Sequence, residues 1–297
     1  MDRVSVVIPT KDAGQKFEKV LKSIRYQNVP DLELIIIDSG STDGTVERAQ
    51  QYADTVIEIP PDEFHHGKTR NQAADQAEAD IIVFTVQDAL PVNEQWLTEL
   101  VSPIESGTAD VSYGNQVAYP DAKPPDKFFY KYFYPDTPTT LTEKDTDNKD
   151  NFYMDNIFLS DANSAVSRHI WNQFRFRDSV PMSEDKDFAY RVASAGYIIQ
   201  YCPGAKVYHS HDYTLRSLFT RRYKDGKAFA EITATDSDDF VSDGIKYVWN
   251  EYAYLVHSGA VHWVPYAILY DFVYFISFTL GKNYEYLPTN VDQRLGH

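Results

Sequence analysis

Residues 4–9 read VSVVIP and residues 32–38 read LELIIID, two apolar runs of strand length, and between them Phe17, Val20, Leu21 and Ile24 recur at helical spacing. The alternation continues with a helix expected over Thr45–Tyr52, a strand over Thr55–Ile59, a helix over Lys68–Ala77 and a strand over Asp80–Val86. Strands alternating with helices specify an α/β fold with a doubly wound sheet. Such sheets bind ligands at the carboxyl ends of their strands.

Further along, Tyr119–Asn151 is rich in Pro, Asp, Lys and Thr with clustered aromatics, and reads as a long loop or mobile insertion. Periodicity returns near Ile157, and a helix over Ser183–Ala195 is closed by Gly196. After Ser237 the chain changes character, and Ile245–Leu280 is rich in Tyr, Trp, Phe and Val. The expected division is a catalytic domain over residues 1–236 and a helical C-terminal extension over 237–297, which a chain of 297 residues with 43% hydrophobic content can support.

A formal charge of −16 disfavours nucleic acid as the main partner, since phosphate backbones attract basic surfaces. An anionic ligand would then need a local positive site or a metal ion. The single cysteine, Cys202, cannot form an internal disulfide, and no apolar leader follows Met1, so a cytoplasmic location is expected.

Pro9-Thr10-Lys11-Asp12 follows the first strand, and Asp38-Ser39-Gly40-Ser41-Thr42-Asp43-Gly44-Thr45 follows the second. Small residues there let backbone N–H groups approach a ligand, and Asp38 can accept from a base or ribose hydroxyl; a turn followed by a helix cap fits the same residues. Asp88, just past the fourth strand in IIVFTVQDALP, can ligate Mg²⁺ or Mn²⁺ at a diphosphate, or simply begin the turn before Pro91. Lys68 and Arg70 sit at a helix start, a place suited to phosphate and equally to solvent. Ser183-Glu184-Asp185-Lys186-Asp187 opens a helix, where acidic residues favour the first turn and Asp185 can take a proton from an attacking hydroxyl. In His209-Ser210-His211, after a strand over Lys206–Tyr208, residues two apart point the same way; a structural histidine is the default reading of either, and His211 is the one that could complete an oxygen-rich metal site with Asp88.

Taken in order, VSVVIPTKD, LELIIIDSGSTDGT, HHGKTRNQAA, IIVFTVQDALP, DANSAVSRHIW, SEDKDFAYRVASAGY and AKVYHSHDYTL resemble glycosyltransferase family two, inverting enzymes of the GT-A fold. The resemblance covers roughly residues 3 to 230. It implies that Pro9, Thr10, Asp12 and Asp38 lie by the nucleoside, Lys68, Arg70 and Gln87 near the nucleotide pocket, and Asp88 at the metal, with Asp185, flanked by Glu184, as base. Many members carry Asp-x-Asp at the metal, where this chain has Val86-Gln87-Asp88. The QDALP, HHGKTRN and HSHDYTL segments look most like the rhamnosyltransferase branch, which implies a dTDP-L-rhamnose donor and a growing cell-surface glycan as acceptor. Family members also work at membranes on lipid-linked sugars.

Two other functional classes fit parts of the chain. A sugar nucleotidylyltransferase shares the α/β layout, but its N-terminal glycine-rich loop is missing. A catalytically silent subunit that binds glycan or scaffolds a partner leaves Asp88, Arg70 and Asp185 unexplained. Val264–Leu280 is apolar but contains Pro265 and Asp271 and is shorter than a span of about 20 residues. The expectation is peripheral attachment to the inner face of a membrane, aided by Arg216, Arg221, Arg222, Lys224 and Lys227; the alternative is a helical hairpin packed on the catalytic domain or on a second copy in a homo-oligomer.

Overall fold

The computed structural model describes residues 3–156, 159–180, 182–232 and 239–295. Along the chain, β1 (Val4–Thr10) leads to α1 (Phe17–Arg25), β2 (Leu32–Asp38), α2 (Thr45–Ala49), β3 (Thr55–Glu58), α3 (His66–Ala74) and β4 (Ile81–Thr85). Then come β5 (Leu90–Pro91), α4 (Trp96–Glu105), β6 (Val111–Val117), α5 (Pro124–Phe133), β7 (Thr140–Leu141) and α6 (Lys149–Asp155). They are followed by β8 (Asn163–Ser167), α7 (Arg168–Phe174), α8 (Glu184–Ser194), β9 (Ile199–Tyr208), α9 (Leu215–Ile232), α10 (Asp239–His257), α11 (Val264–Lys282) and α12 (Thr289–Leu295). Two compact units result: Met1–Val117 with Tyr134–His209, and Ala118–Phe133 with Ser210–His297. The domain boundary expected at residues 236/237, like Ile157, lies outside the described residues.

In the first unit the strands run in the order β3-β2-β1-β4-β8-β6-β9-β5, with β7 also paired to β9. The first four are mutually parallel, β8 is antiparallel to β4 and to β6, and β9 is parallel to β6. Both faces are covered, which is why β1, β2 and β4 read as continuous apolar runs. Val4, Val6, Ile8, Leu34 and Ile36 pack with Phe17, Val20, Leu21 and Ile24 of α1. Aromatic contacts of Phe84 with Trp171 and Phe176, and of Trp171 with Phe188, tie β4 to α7 and α8.

Strand direction decides what meets at one edge. The carboxyl ends of β1, β2 and β4 share an edge, and β8, running the other way, enters there because Thr85 pairs with Asn163. β6 reverses direction again and β9 follows it, so Tyr208 emerges at that edge beside Val117. β9 is longer than the expected Lys206–Tyr208 strand. Pro203 and Gly204 read as breakers, but the pairing steps from Gly114–Cys202 to Asn115–Lys206 and absorbs them as a bulge.

In the second unit α9 and α11 cross at glycines. A Cβ on Gly281 would lie 2.0 Å from the Tyr223 carbonyl oxygen, and one on Gly226 would lie 2.2 Å from that of Phe278. Tyr119–Asn151 is not one loop: it contains α5, whose Phe128 packs 5.3 Å from the rings of both Tyr247 and Tyr254 of α10. Its two leading prolines fit a helix start, and its aromatics gain a partner only in three dimensions.

Candidate active site

Two loops close the ends of β1 and β2. The buried Asp38 carboxylate accepts hydrogen bonds from Thr10 Oγ1 (2.9 Å) and from Ser41 through both its backbone N–H (2.7 Å) and its hydroxyl (2.5 Å). Asp12 reaches the other way: its Oδ1 accepts from the Thr42 N–H at 2.9 Å and its own N–H donates to Ser41 Oγ at 2.7 Å, with φ at 43°. Asp43 accepts from the Gly14 N–H, and hydrogen bonding from Thr45 first of all holds its carboxyl below the usual range. Gln87 continues the β1–β4 ladder with its side chain, accepting from the Lys11 N–H (2.8 Å) and donating to the Lys11 carbonyl (3.1 Å). It therefore fastens the loop that carries Asp88 to the loop that follows β1.

Asp88 lies two residues before Leu90, which pairs with Tyr208, so the antiparallel register, extended past β5, puts Ala89 opposite His209 and Asp88 next to that pair. Asp88 Oδ1 and His209 Nε2 are 3.6 Å apart. Gln116 donates its amide N–H to Tyr134 Oη at 2.7 Å, which turns its carbonyl oxygen toward His209 Nδ1 at 2.6 Å. That acceptor places the ring proton on Nδ1 and leaves the Nε2 lone pair facing a carboxylate oxygen. Two electron-rich atoms so placed call for a proton or a cation between them, and an imidazole plus a carboxylate, with the far ring nitrogen held by an acceptor, suits a divalent metal.

A second cluster forms where α3, α8 and the entry to β8 converge. Arg70 is buried, and its Nη1 donates to the His66 carbonyl (3.1 Å) and to Glu184 Oε1 (3.0 Å). Its Nε stands 3.8 Å from Asp161 Oδ2. Asp161 in turn accepts from Ser164 Oγ at 3.0 Å, and its N–H points at Asp185 Oδ2 at 3.4 Å. Asp185 Oδ1 accepts from the Lys186 N–H at 2.8 Å, and the residue keeps part of its surface open to solvent. Burial, then the charge of Glu184, pushes the Asp185 carboxyl up; burial and the charge of Asp185 push Asp161 further up. The approach of α8 to α3 depends on Gly67, where a Cβ would meet the Phe176 Cβ at 3.0 Å and the Glu184 Cβ at 3.6 Å. Ser183, just before α8, takes a left-handed φ of 66° to turn the chain into the cluster.

Pro9, Thr10, Asp12, Asp38, Gln87 and Asp88 thus gather at one edge of the sheet, as expected, although Thr10, Asp38 and Gln87 spend hydrogen bonds on shaping the loops. Lys68 is exposed at the start of α3, which begins at His66 because the His65 side chain caps it by accepting from the Lys68 N–H. Arg70 and Glu184 neutralise one another inside the protein, with side chains 7% exposed. His211 follows His209 by two residues, where the chain passes into the second unit. Two residues gain importance only here. His209 faces Asp88 within the first unit, and Asp161 had no signal beyond lying in the DANSA segment.

The family profile "Glycosyl transferase family 2" matches residues 5–172. The O-antigen chain rhamnosyltransferase WbaN of Salmonella anatum is 33% identical over 294 residues, 97% of this chain and 92% of its own length. RfbN of Salmonella typhimurium, also an O-antigen chain rhamnosyltransferase, is 30% identical over 96% of this chain and 91% of its own. Among solved structures, the mannosyltransferase PcManGT of Pyrobaculum calidifontis, in complex with GDP-Man and Mn²⁺, superposes with a TM-score of 0.63 over 96% of this chain and 88% of its own, at 19% identity. TarS 1-349 of S. aureus with UDP-GlcNAc gives a TM-score of 0.57 over 84% and 72%, at 20% identity. At such identities these two likenesses speak for the fold.

Proposed function

The chain belongs to glycosyl transferase family 2 and is a glycosyltransferase of the GT-A fold, and on that premise we propose that it moves L-rhamnose from dTDP-L-rhamnose to a hydroxyl of a polyprenyl-linked glycan, with inversion. The observation that carries this reading is the near full-length similarity to two O-antigen chain rhamnosyltransferases, joined to a half-buried Asp185 at the sheet edge that gathers Thr10, Asp38 and Asp88. Asp185 accepts the proton of the acceptor hydroxyl as that oxygen bonds to the anomeric carbon, and the bond from that carbon to the diphosphate breaks on the opposite face. The raised proton affinity of Asp185 suits a base that must hold a proton near neutral pH. Asp88 and His209 would hold Mn²⁺ or Mg²⁺. Bound there, the ion offsets charge on the leaving diphosphate. Gln116 orients His209, Gln87 anchors the Asp88 loop, and Arg70 with Glu184 sets the start of α8 rather than touching the donor.

The helical unit carries the proposed location, the inner face of a membrane. Ile245, Trp249 and Val256 lie on one face of α10, and Ile268, Leu269, Phe272 and Phe275 on one face of α11, with Trp249 77% and Phe272 62% exposed. Within residues 261–282 an 18-residue stretch has a mean hydropathy of 1.4 and is 22% buried, a surface suited to lying in a headgroup layer. The decisive experiment for the activity is a screen of nucleotide sugars with and without Mn²⁺, reading released nucleotide diphosphate, beside Asp185→Asn. Turnover with dTDP-L-rhamnose that Asp185→Asn abolishes supports the proposal; near-normal turnover in that variant would remove Asp185 as base.

A further inference from the structure

The cluster around Arg70 holds three carboxyl groups and one guanidinium, and its hydrogen bonding is lopsided. Glu184 is bonded to Arg70 at 3.0 Å, whereas Asp161 Oδ2 stops 3.8 Å from Arg70 Nε. Both of those atoms are buried and, among the described residues, neither has a hydrogen-bond partner. An ionised carboxylate oxygen buried in that position would be left bare beside an unused N–H, an arrangement that burial penalises heavily. A carboxylic acid there leaves a far smaller deficit. Asp185, by contrast, faces two N–H groups, from Lys186 and Asp161, which favour its charged form.

Resting on Asp185 as the base, we propose that Asp161 is a positioning residue: a neutral carboxylic acid that fills the gap beside Arg70 and leaves Asp185 the one carboxylate of the cluster free to take the acceptor's proton. Arg70 is matched by Glu184, Asp161 holds a proton, and Asp185 carries the remaining negative charge, so the buried cluster bears one net charge instead of two. The groups facing Asp161 are Asp185 and Glu184, which disfavour its ionisation, and Arg70 and Ser164, which favour it; Lys186 and Arg70 oppose the rise at Asp185. The Asp161 N–H adds orientation, since it is aimed at the Asp185 oxygen. α8 brings Asp185 and the entry to β8 brings Asp161, so the pair exists only where those elements meet.

Infrared difference spectroscopy of the full chain without ligands, wild type minus Asp161→Asn at pH 7, tests this directly. A carbonyl stretch of a protonated carboxylic acid that disappears with the substitution is expected; Glu251, whose carboxyl burial pushes up to about 9, supplies a second such band that persists in both proteins. Absence of any acid band assignable to Asp161 overturns the proposal. In turnover of dTDP-L-rhamnose, Asp161→Ala should lower kcat by about tenfold or more relative to Asp161→Asn, since a loosened site loses alignment. The wild type should also show an alkaline fall in kcat that the Asn variant lacks. Equal impairment of the two variants, or coincident alkaline limbs, would count against a neutral Asp161. Failure of the base assignment reads out separately, as retained turnover in Asp185→Asn with the infrared result unchanged.

Discussion

Replacing Arg70 with Ala removes the cation hydrogen-bonded to Glu184 in a pair whose two side chains are each 7% exposed. Deleting one partner of a buried ion pair costs about 3–5 kcal/mol. Urea unfolding followed by the fluorescence of Trp96 and Trp171, both fully buried in the first unit, should show a loss of about 3–5 kcal/mol at pH 7. Arg70→Lys, which keeps the charge but loses the planar fork, should fall between. A loss below about 1 kcal/mol at pH 7 together with abolished binding of dTDP would return Arg70 to the diphosphate and refute the structural role.

Three further outcomes are expected. Gln116→Leu takes away the acceptor for His209 Nδ1–H and should weaken Mn²⁺ binding by about 10–100-fold in calorimetric titration, with unaltered affinity ruling out His209 as a ligand. Glu251→Gln should stabilise the protein on the order of 3 kcal/mol at pH 7, because the buried Glu251, pushed up to about 9 by burial and then by Asp271, holds a proton in the fold that the unfolded chain releases. That gain should vanish below pH 4 and be largest near pH 9, and a flat pH dependence would contradict it. Finally, Trp249→Ser with Phe272→Ser should reduce flotation with phosphatidylglycerol vesicles several-fold while leaving the oligomeric state in solution unchanged; a loss of self-association instead would identify a second copy as the occupant of those stripes.

The amino-acid sequence by itself determined the βα alternation of the first hundred residues and the strand-end loops. A buried parallel strand must be apolar along its whole length, and a helix over it must repeat every three to four residues. It also marked Asp38, Asp88 and Asp185, since each follows directly from a strand end or a helix start that local chemistry announces. What the chain order could not disclose is which distant groups meet. Arg70 and Glu184 are 114 positions apart, and their buried ion pair beside Asp185 exists only in the fold. The pairing of Asp88 with His209 follows from the register of two-residue β5 on β9, too short to leave a periodic signal. Asp161 reaches the site because β8 runs antiparallel to β4, and α5 forms from a Pro-rich, aromatic stretch because Tyr247 and Tyr254 are there to receive Phe128. Local propensity is written in neighbours along the chain, whereas charge neutralisation and aromatic packing depend on neighbours in space, and those the tertiary fold alone supplies.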